Sequence, residues 1–195
     1  MNAISKALQK ARRVVFFGGA GVSVPSGIPD FRGEDGLYRQ RYAYPPETII
    51  SHSFYVHHPE IFFDFYRNRM LYPNAKPNIV HRKLAQWEKE GKLLAVVTQN
   101  IDGLHQMAGS QNVYELHGSV HRNTCQKCGA RYTLEELLTL GDVPKCPKCG
   151  GRILLRRWGG RRTGEGVPGE QQGGGQVLHG DGIVAGVEKV LHYVP

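Results

Sequence analysis

At 195 residues, 40% of them hydrophobic and 22% charged, the chain is long enough for one cored domain and a small insert. No apolar run reaches bilayer-spanning length and the first residues lack the apolar core of a secretory leader, so no membrane partner is expected and a cytoplasmic location is. The net charge of +8 is spread along the chain without an Arg- or Lys-rich block, which reads as a solvated surface; nucleic acid is not an expected partner.

From the N-terminus, residues 2–13 place Ile4, Ala7, Leu8 and Ala11 on one helical face, with Lys6, Lys10 and Arg13 elsewhere. Val14-Val15-Phe16-Phe17 then reads as a buried strand that opens into Gly18-Gly19-Ala20-Gly21-Val22-Ser23. Glycines have no Cβ, so such a turn can aim several N–H groups at one anion, most effectively where a helix begins and adds its dipole. Gly19-x-Gly21 lacks the third glycine of the dinucleotide fingerprint, because Val24 stands there, and no Gly-Lys-Ser/Thr follows. By itself the turn reads either as a phosphate site or as a tight strand-to-helix connection. Asp30, Phe31 and Arg32 add a carboxylate, a ring and a fixed cation just beyond it.

Leu37 to His58 is rich in proline and tyrosine without a steady period, and is expected to be an ordered, mobile loop region. Pro59–Met70 is predicted as a helix, with Ile61, Phe62, Phe65, Tyr66 and Arg69 in three-and-four spacing. A second helix is predicted over Pro77–Glu90, apolar at Ile79, Val80, Leu84 and Trp87 and ended by Gly91. Leu93–Thr98 is the near-continuous apolar run of a parallel strand covered on both faces. Strand, helices, strand is the alternation of a doubly wound sheet, whose ligands sit beyond the carboxyl ends of the strands. Gln99, Asn100, Ile101 and Asp102 lie at such an end, where a polar turn bonding its own backbone is the other reading. Val113–Leu116 is a third short strand, and His117 follows its end as the other two loops follow theirs. The three segments are expected to converge on one cleft.

All four cysteines form one pattern, Cys125-x-x-Cys128 and Cys146-x-x-Cys149, with seventeen residues between the pairs. That spacing fits a four-thiolate zinc site better than two disulfides, given a reducing compartment. A closed tetrahedral shell leaves no open position, so the ion is expected to be structural and to hold Thr124–Gly151 as a small module.

Gly19 to Gly33, fifteen consecutive positions, resembles the signature of the sirtuins, the NAD-dependent protein deacylases. Thr98-Gln99-Asn100-Ile101-Asp102-Gly103-Leu104-His105 is similar to their second signature, and Glu115-Leu116-His117-Gly118-Ser119 resembles their active-site segment. The resemblance implies an α/β fold, a Rossmann-like parallel sheet over residues 1–123 with an inserted zinc-ribbon module at 124–151. It implies NAD contacts from Gly19, Ala20, Gly21, Ser23, Val24, Asp30, Phe31, Arg32, Gln99, Asn100, Ile101, Asp102 and His117, with His117 as general base, Asn100 beside it and the 37–58 region covering the cofactor. Val24 departs from the threonine often found there. Tyr66-x-x-Arg69 looks like the pair by which some sirtuins hold the carboxylate of succinyl- or malonyl-lysine. The implied activity is transfer of an acyl group from a lysine of a protein or peptide to ADP-ribose, with release of nicotinamide. An inactive truncated relative and a zinc-ribbon module binding nucleic acid or protein are the alternatives.

Beyond Gly151 the resemblance ends. Residues 152–195 hold eleven of the 25 glycines and run through Arg-Arg-Trp-Gly-Gly-Arg-Arg and Gln-Gln-Gly-Gly-Gly; only Ile183–Val194 has appreciable apolar content. The expectation is a disordered tail, from a shifted reading frame, and a parallel sheet without its later strands.

Overall fold

A computed structural model describes residues 3–31, 33, 36, 42–155 and 183–185. Its larger sheet is built around the first apolar run. Strand β1 (Val14–Gly18) pairs in parallel with β2 (Leu93–Thr98), and β2 in parallel with β3 (Val113–Glu115). Helix α1 (Ala3–Lys10) leads into β1, and α5 (Ile79–Lys89) makes the crossover into β2 that a parallel pair requires. Val14, Leu84, Leu93 and Val96 form the buried centre between these elements, with Leu8, Phe16 and Trp87 packed around it. Each such side chain contributes about 1.5–3 kcal/mol by leaving water.

Two details of this half depart from the periodicity. Helix α5 begins only at Ile79, because the Asn78 side chain accepts from Val80 N (2.9 Å) and the His81 ring returns a bond to Asn78 N, a reciprocal cap. The cap turns Ile79 outward, 74% exposed, leaves Val80 exposed too, and points His81 and Leu84 inward. On β2, Leu94 is 40% exposed, so one face of the sheet is only partly covered.

The proline-rich region is more regular than its composition suggests. It contains α2 (Pro46–Ile49) and α3 (His52–His57), followed by α4 (Pro59–Phe65), which loosens into a π turn over Tyr66–Met70. Proline opens α2 and α4, and the Ser51 hydroxyl caps α3 by accepting from Phe54 N (3.2 Å). Residues 37–41 lie outside the described residues.

A second sheet has the order β5-β4-β6, from β4 (Asn123–Cys125), β5 (Arg131–Tyr132) and β6 (Ile153–Leu155), all antiparallel. Between β5 and β6 lies α7 (Leu134–Thr139), capped reciprocally by Thr133 and Glu136. This cysteine-bearing module has no self-contained core. Tyr55, Phe62, Phe63 and Tyr66 of the helical region form one buried cluster with Cys125, Leu134, Leu137, Cys146, Ile153 and Leu154. The edge-to-face contacts Tyr55–Phe62 (5.0 Å) and Phe62–Phe63 (5.2 Å) sit in that cluster. The module therefore runs past Gly151 into β6.

Among the described residues the parallel sheet has four strands, ordered β3-β2-β1-β7. The fourth, β7 (Ile183–Ala185), lies parallel to β1 with Ile183 opposite Val14. It comes from the one apolar stretch of the glycine-rich tail, so part of that segment joins the sheet; residues 156–182 and 186–195 lie outside the described residues. No helix among the described residues is long and apolar enough to cross a membrane.

Candidate functional site

The carboxyl ends of β1, β2 and β3 finish at one level. Gly18 lies opposite Thr98, and Thr98 opposite Glu115. The connection continues one residue further, because Gln99 N donates to Gly18 O (3.0 Å) and Leu116 N to Thr98 O (2.9 Å). Three loops thus leave the sheet side by side. They enclose a cavity of about 620 Å3, lined by Ala20, Gly21, Ser23, Asp30 and Phe31 from the first, Gln99, Asn100, Ile101 and Asp102 from the second, and His117, Val120 and His121 from the third.

The first loop makes two short 3-10 turns, Ala20–Val22 and Val24–Ser26, and no α-helix, so it offers backbone N–H groups with little helix dipole behind them. Added Cβ atoms at Gly21 would meet nothing within 4 Å, and at Gly19 only Gln99 Cδ at 4.0 Å. Protein packing does not demand glycine at either place, so the loop's backbone lies open on that side. Gly27, at φ +83°, closes the second turn.

One buried hydroxyl ties the first loop to the second. Ser23, 1% exposed, donates to Asp102 Oδ2 (2.6 Å) and accepts from Asn100 Nδ2 (3.0 Å). Asp102 Oδ1 accepts from Leu104 N (2.9 Å), starting the short helix α6 (Leu104–Met107). Both carboxylate oxygens are therefore engaged, which fixes the loop's conformation. The third loop is tied to the second by His117, whose Nδ1 lies 3.0 Å from Gln99 O. A carbonyl only accepts, so Nδ1 carries the proton and the neutral ring keeps a basic lone pair on Nε2. His121 donates in the same way from Nε2 to Asp102 O (3.2 Å).

Most of the expected contact residues meet at this cavity. Gly19 and Val24 do not line it, and Val24 is largely turned to solvent; Arg32 lies outside the described residues. Arg69 lines the cavity but Tyr66 does not: its ring is 1% exposed, stacked on Phe62 (6.0 Å) and edge-on to Phe63 (6.2 Å). The π turn that carries both residues thus divides them between core and cavity. Sequence reasoning missed His121, Met70 and Tyr72 on the cavity wall. His121 lies four residues beyond His117 in the same irregular loop, and only the fold of that loop brings both rings to the cavity.

The four thiol sulfurs lie within 4.8 Å of one another, with Cys125–Cys149 at 3.5 Å and Cys128–Cys146 at 3.6 Å, and all four are free. Zinc–sulfur bonds of about 2.3 Å in a tetrahedron place sulfurs about 3.8 Å apart, so the set fits one zinc ion. Two of the sulfurs meet hydrogen-bond donors. Lys127 N approaches Cys125 Sγ (3.4 Å), and the Tyr132 hydroxyl lies 3.0 Å from Cys146 Sγ. Burial raises the Cys146 thiol, but the bonds from Tyr132 and the Lys148 amide outweigh it and bring the group below its ordinary range.

A Sir2 family model matches residues 19–180. The chain belongs to the Sir2 family. Among its curated relatives, an NAD-dependent protein deacetylase of Clostridium acetobutylicum is 54% identical over 156 residues, covering 78% of this chain and 64% of that protein. An NAD-dependent protein deacylase of Pyrococcus furiosus is 43% identical over 162 residues, covering 80% and 63%. A solved Sir2 complex with p53 peptide and NAD+ superposes with a TM-score of 0.67 at 41% identity, covering 80% of this chain and 62% of that one. A Sir2 complex with deacetylated p53 peptide and 3'-O-acetyl ADP-ribose gives 0.70. The chain thus spans less than two thirds of the length of these Sir2 relatives. Its fold is the Sir2 Rossmann-like α/β fold, and the family match reaches residue 180, so the resemblance does not end at Gly151.

Proposed function

We propose that the chain is an NAD-dependent protein-lysine deacylase. The observation that carries the reading is the common level of three strand ends, which brings backbone amides, a carboxamide-and-carboxylate loop and an imidazole around one cavity. The amides of Ala20 and Gly21, on the cavity wall, take the diphosphate of NAD; Asn100, Ile101 and Asp102, with Phe31, take the nicotinamide and its ribose. Bound there, NAD would offer its anomeric carbon to the acyl oxygen of the substrate lysine with nicotinamide as leaving group; His117 Nε2 would accept the proton of a ribose hydroxyl, and one water would be consumed as the acyl group passes to ADP-ribose and the lysine amine is freed. Zinc, held by Cys125, Cys128, Cys146 and Cys149, supplies structure and no chemistry, because the four thiolates close its shell.

The substrate partner on this reading is an acylated lysine in a protein or peptide. Of the Tyr66–Arg69 pair it is the arginine that stands on the cavity wall, placed to meet an anionic acyl group; comparing succinyl- and acetyl-peptide turnover before and after Arg69→Met reads that role. The four free thiols favour the reducing cytoplasm as compartment. The test is the purified zinc-loaded chain with NAD and an acetyl-lysine peptide. Release of nicotinamide with formation of O-acetyl-ADP-ribose, slowed about 10²–10⁴-fold in His117→Ala, supports the reading; no turnover and no NAD binding defeats it.

A further inference from the structure

Behind the cavity wall two histidines are buried with most of their nitrogens unpartnered. His81 on α5 and His105 on α6 are 0% and 1% exposed, and their ring centroids are 4.6 Å apart. His81 Nδ1 accepts from Asn78 N (3.3 Å), which puts its proton on Nε2. That nitrogen and both nitrogens of His105 have no hydrogen-bond partner among the described residues. Neither ring lines the cavity. An apolar ring of the same shape would avoid the cost of burying unpaired polar atoms, so stability alone gives no reason for two histidines here.

Their place in the fold does. From Ser23 the contacts run to Asp102 Oδ2 (2.6 Å), through Asp102 Oδ1 to Leu104 N (2.9 Å) and so to α6 and the His105 ring. The path crosses to His81, returns to Asn78 N (3.3 Å), and from Asn78 Nδ2 reaches Val22 O (2.7 Å) and Ser26 Oγ (2.9 Å), on either side of Ser23. It is a closed ring, and the contact between the two imidazoles is its one link without a hydrogen bond.

We propose that the His81–His105 contact is a positioning element that holds the Ser23 and Asp102 loops together only while both imidazoles are neutral, and lets them part when one takes up a proton. The inference rests on the NAD reading of the cavity only for its consequence in binding. Two charged rings at this separation in a dry site repel, and even one loses its hydration. The charged groups facing the pair are Asp102, which attracts a proton, and Arg82, which repels one; the Phe16 ring of β1, 5.9 Å from His105, is the apolar neighbour. Burial, then the neighbouring His81, hold His105 down at about 4, and burial lowers His81 as well.

The test is amide hydrogen exchange on the full zinc-loaded chain at pH 7.5 and 5.0, corrected for intrinsic rates, beside a double variant. His81→Gln keeps the reciprocal cap and His105→Phe keeps the ring, and neither titrates. Wild-type protection over residues 19–27 and 100–107 should fall about 30-fold at pH 5.0, the ratio set by a histidine that titrates at 6.5 when released and at about 4 when held. The double variant should lose no more than about 3-fold of its own pH 7.5 protection. An equal loss in both proteins, or a wild-type profile unchanged at pH 5.0, overturns the proposal, and the latter needs no variant. NAD titration at both pH values separates the two readings. Acid-sensitive protection without NAD binding defeats the cavity's assignment and leaves the histidine contact standing; NAD binding with acid-insensitive protection does the reverse.

Discussion

Replacing Ser23 by alanine tests how the first two loops are joined. The hydroxyl is 1% exposed, donates to the Asp102 carboxylate at 2.6 Å and accepts from the Asn100 carboxamide at 3.0 Å. A hydrogen bond to a charged group contributes about 1.5–3 kcal/mol and a neutral one about 1 kcal/mol. Asp102 and Asn100 are only half-buried, so water recovers part of both, and the net destabilisation expected is about 2–3 kcal/mol. For a domain of about 150 residues this lowers Tm by about 5–10 °C. Circular dichroism melts of the zinc-loaded protein read the shift. The control is Ser26→Ala, whose hydroxyl only accepts from Asn78 Nδ2, and whose Tm should move by less than about half as much. NAD titration of Ser23→Ala should show affinity weakened by about tenfold or more, since about 1.4 kcal/mol of lost loop order is enough. A variant that melts within 1 °C of wild type, in about the error of the method, and binds NAD equally well would refute the reasoning.

Four further outcomes follow from the same geometry. His117→Ala should lower kcat by about 10²–10⁴, or about 3–5 kcal/mol of barrier, while NAD affinity measured calorimetrically stays within about threefold. Tyr132→Phe removes the hydroxyl from Cys146 Sγ, and zinc transfer to a chromogenic chelator should quicken about 10–100-fold. Gly151→Ala would set a Cβ 2.8 Å from Cys125 Sγ and 2.7 Å from Lys127 Cβ, so metal analysis should find well under one zinc per chain. Acid should destabilise the fold through the buried histidines. His105 is lowered to about 4 from 6.5, so the native state binds fewer protons than the unfolded chain, and its contribution, full above pH 6.5, is lost as pH falls from there towards 4. Urea melts at pH 7 and 5 should differ by about 2 kcal/mol from this residue.

The sheet was legible because its strands are short apolar runs ending in polar or glycine turns. Val14–Phe17, Leu93–Thr98 and Val113–Leu116 all appear where those patterns lie, and the loops after them hold Gly21, Asp102 and His117 together. The cysteine spacing was equally direct, since thiol chemistry depends on few neighbours. Other features needed contacts between distant residues. Whether Phe62, Phe63 and Tyr66 face a cavity or a core depends on the zinc module packing against them, which no local period records. The phase of α5 follows from the Asn78–His81 cap and not from its apolar count, so Ile79, apolar in the helical pattern, faces solvent. The pairing of His81 with His105 joins residues on two helices and leaves no trace in either segment.

The central claim is that three separate loops serve one NAD molecule. Amide chemical shifts of the 15N-labelled, zinc-loaded chain during an NAD titration test it most directly. The account predicts saturable shifts in residues 19–31, 99–103 and 117–121 that follow a single binding curve. Shifts confined to one of these segments, or none at saturating NAD, would contradict it.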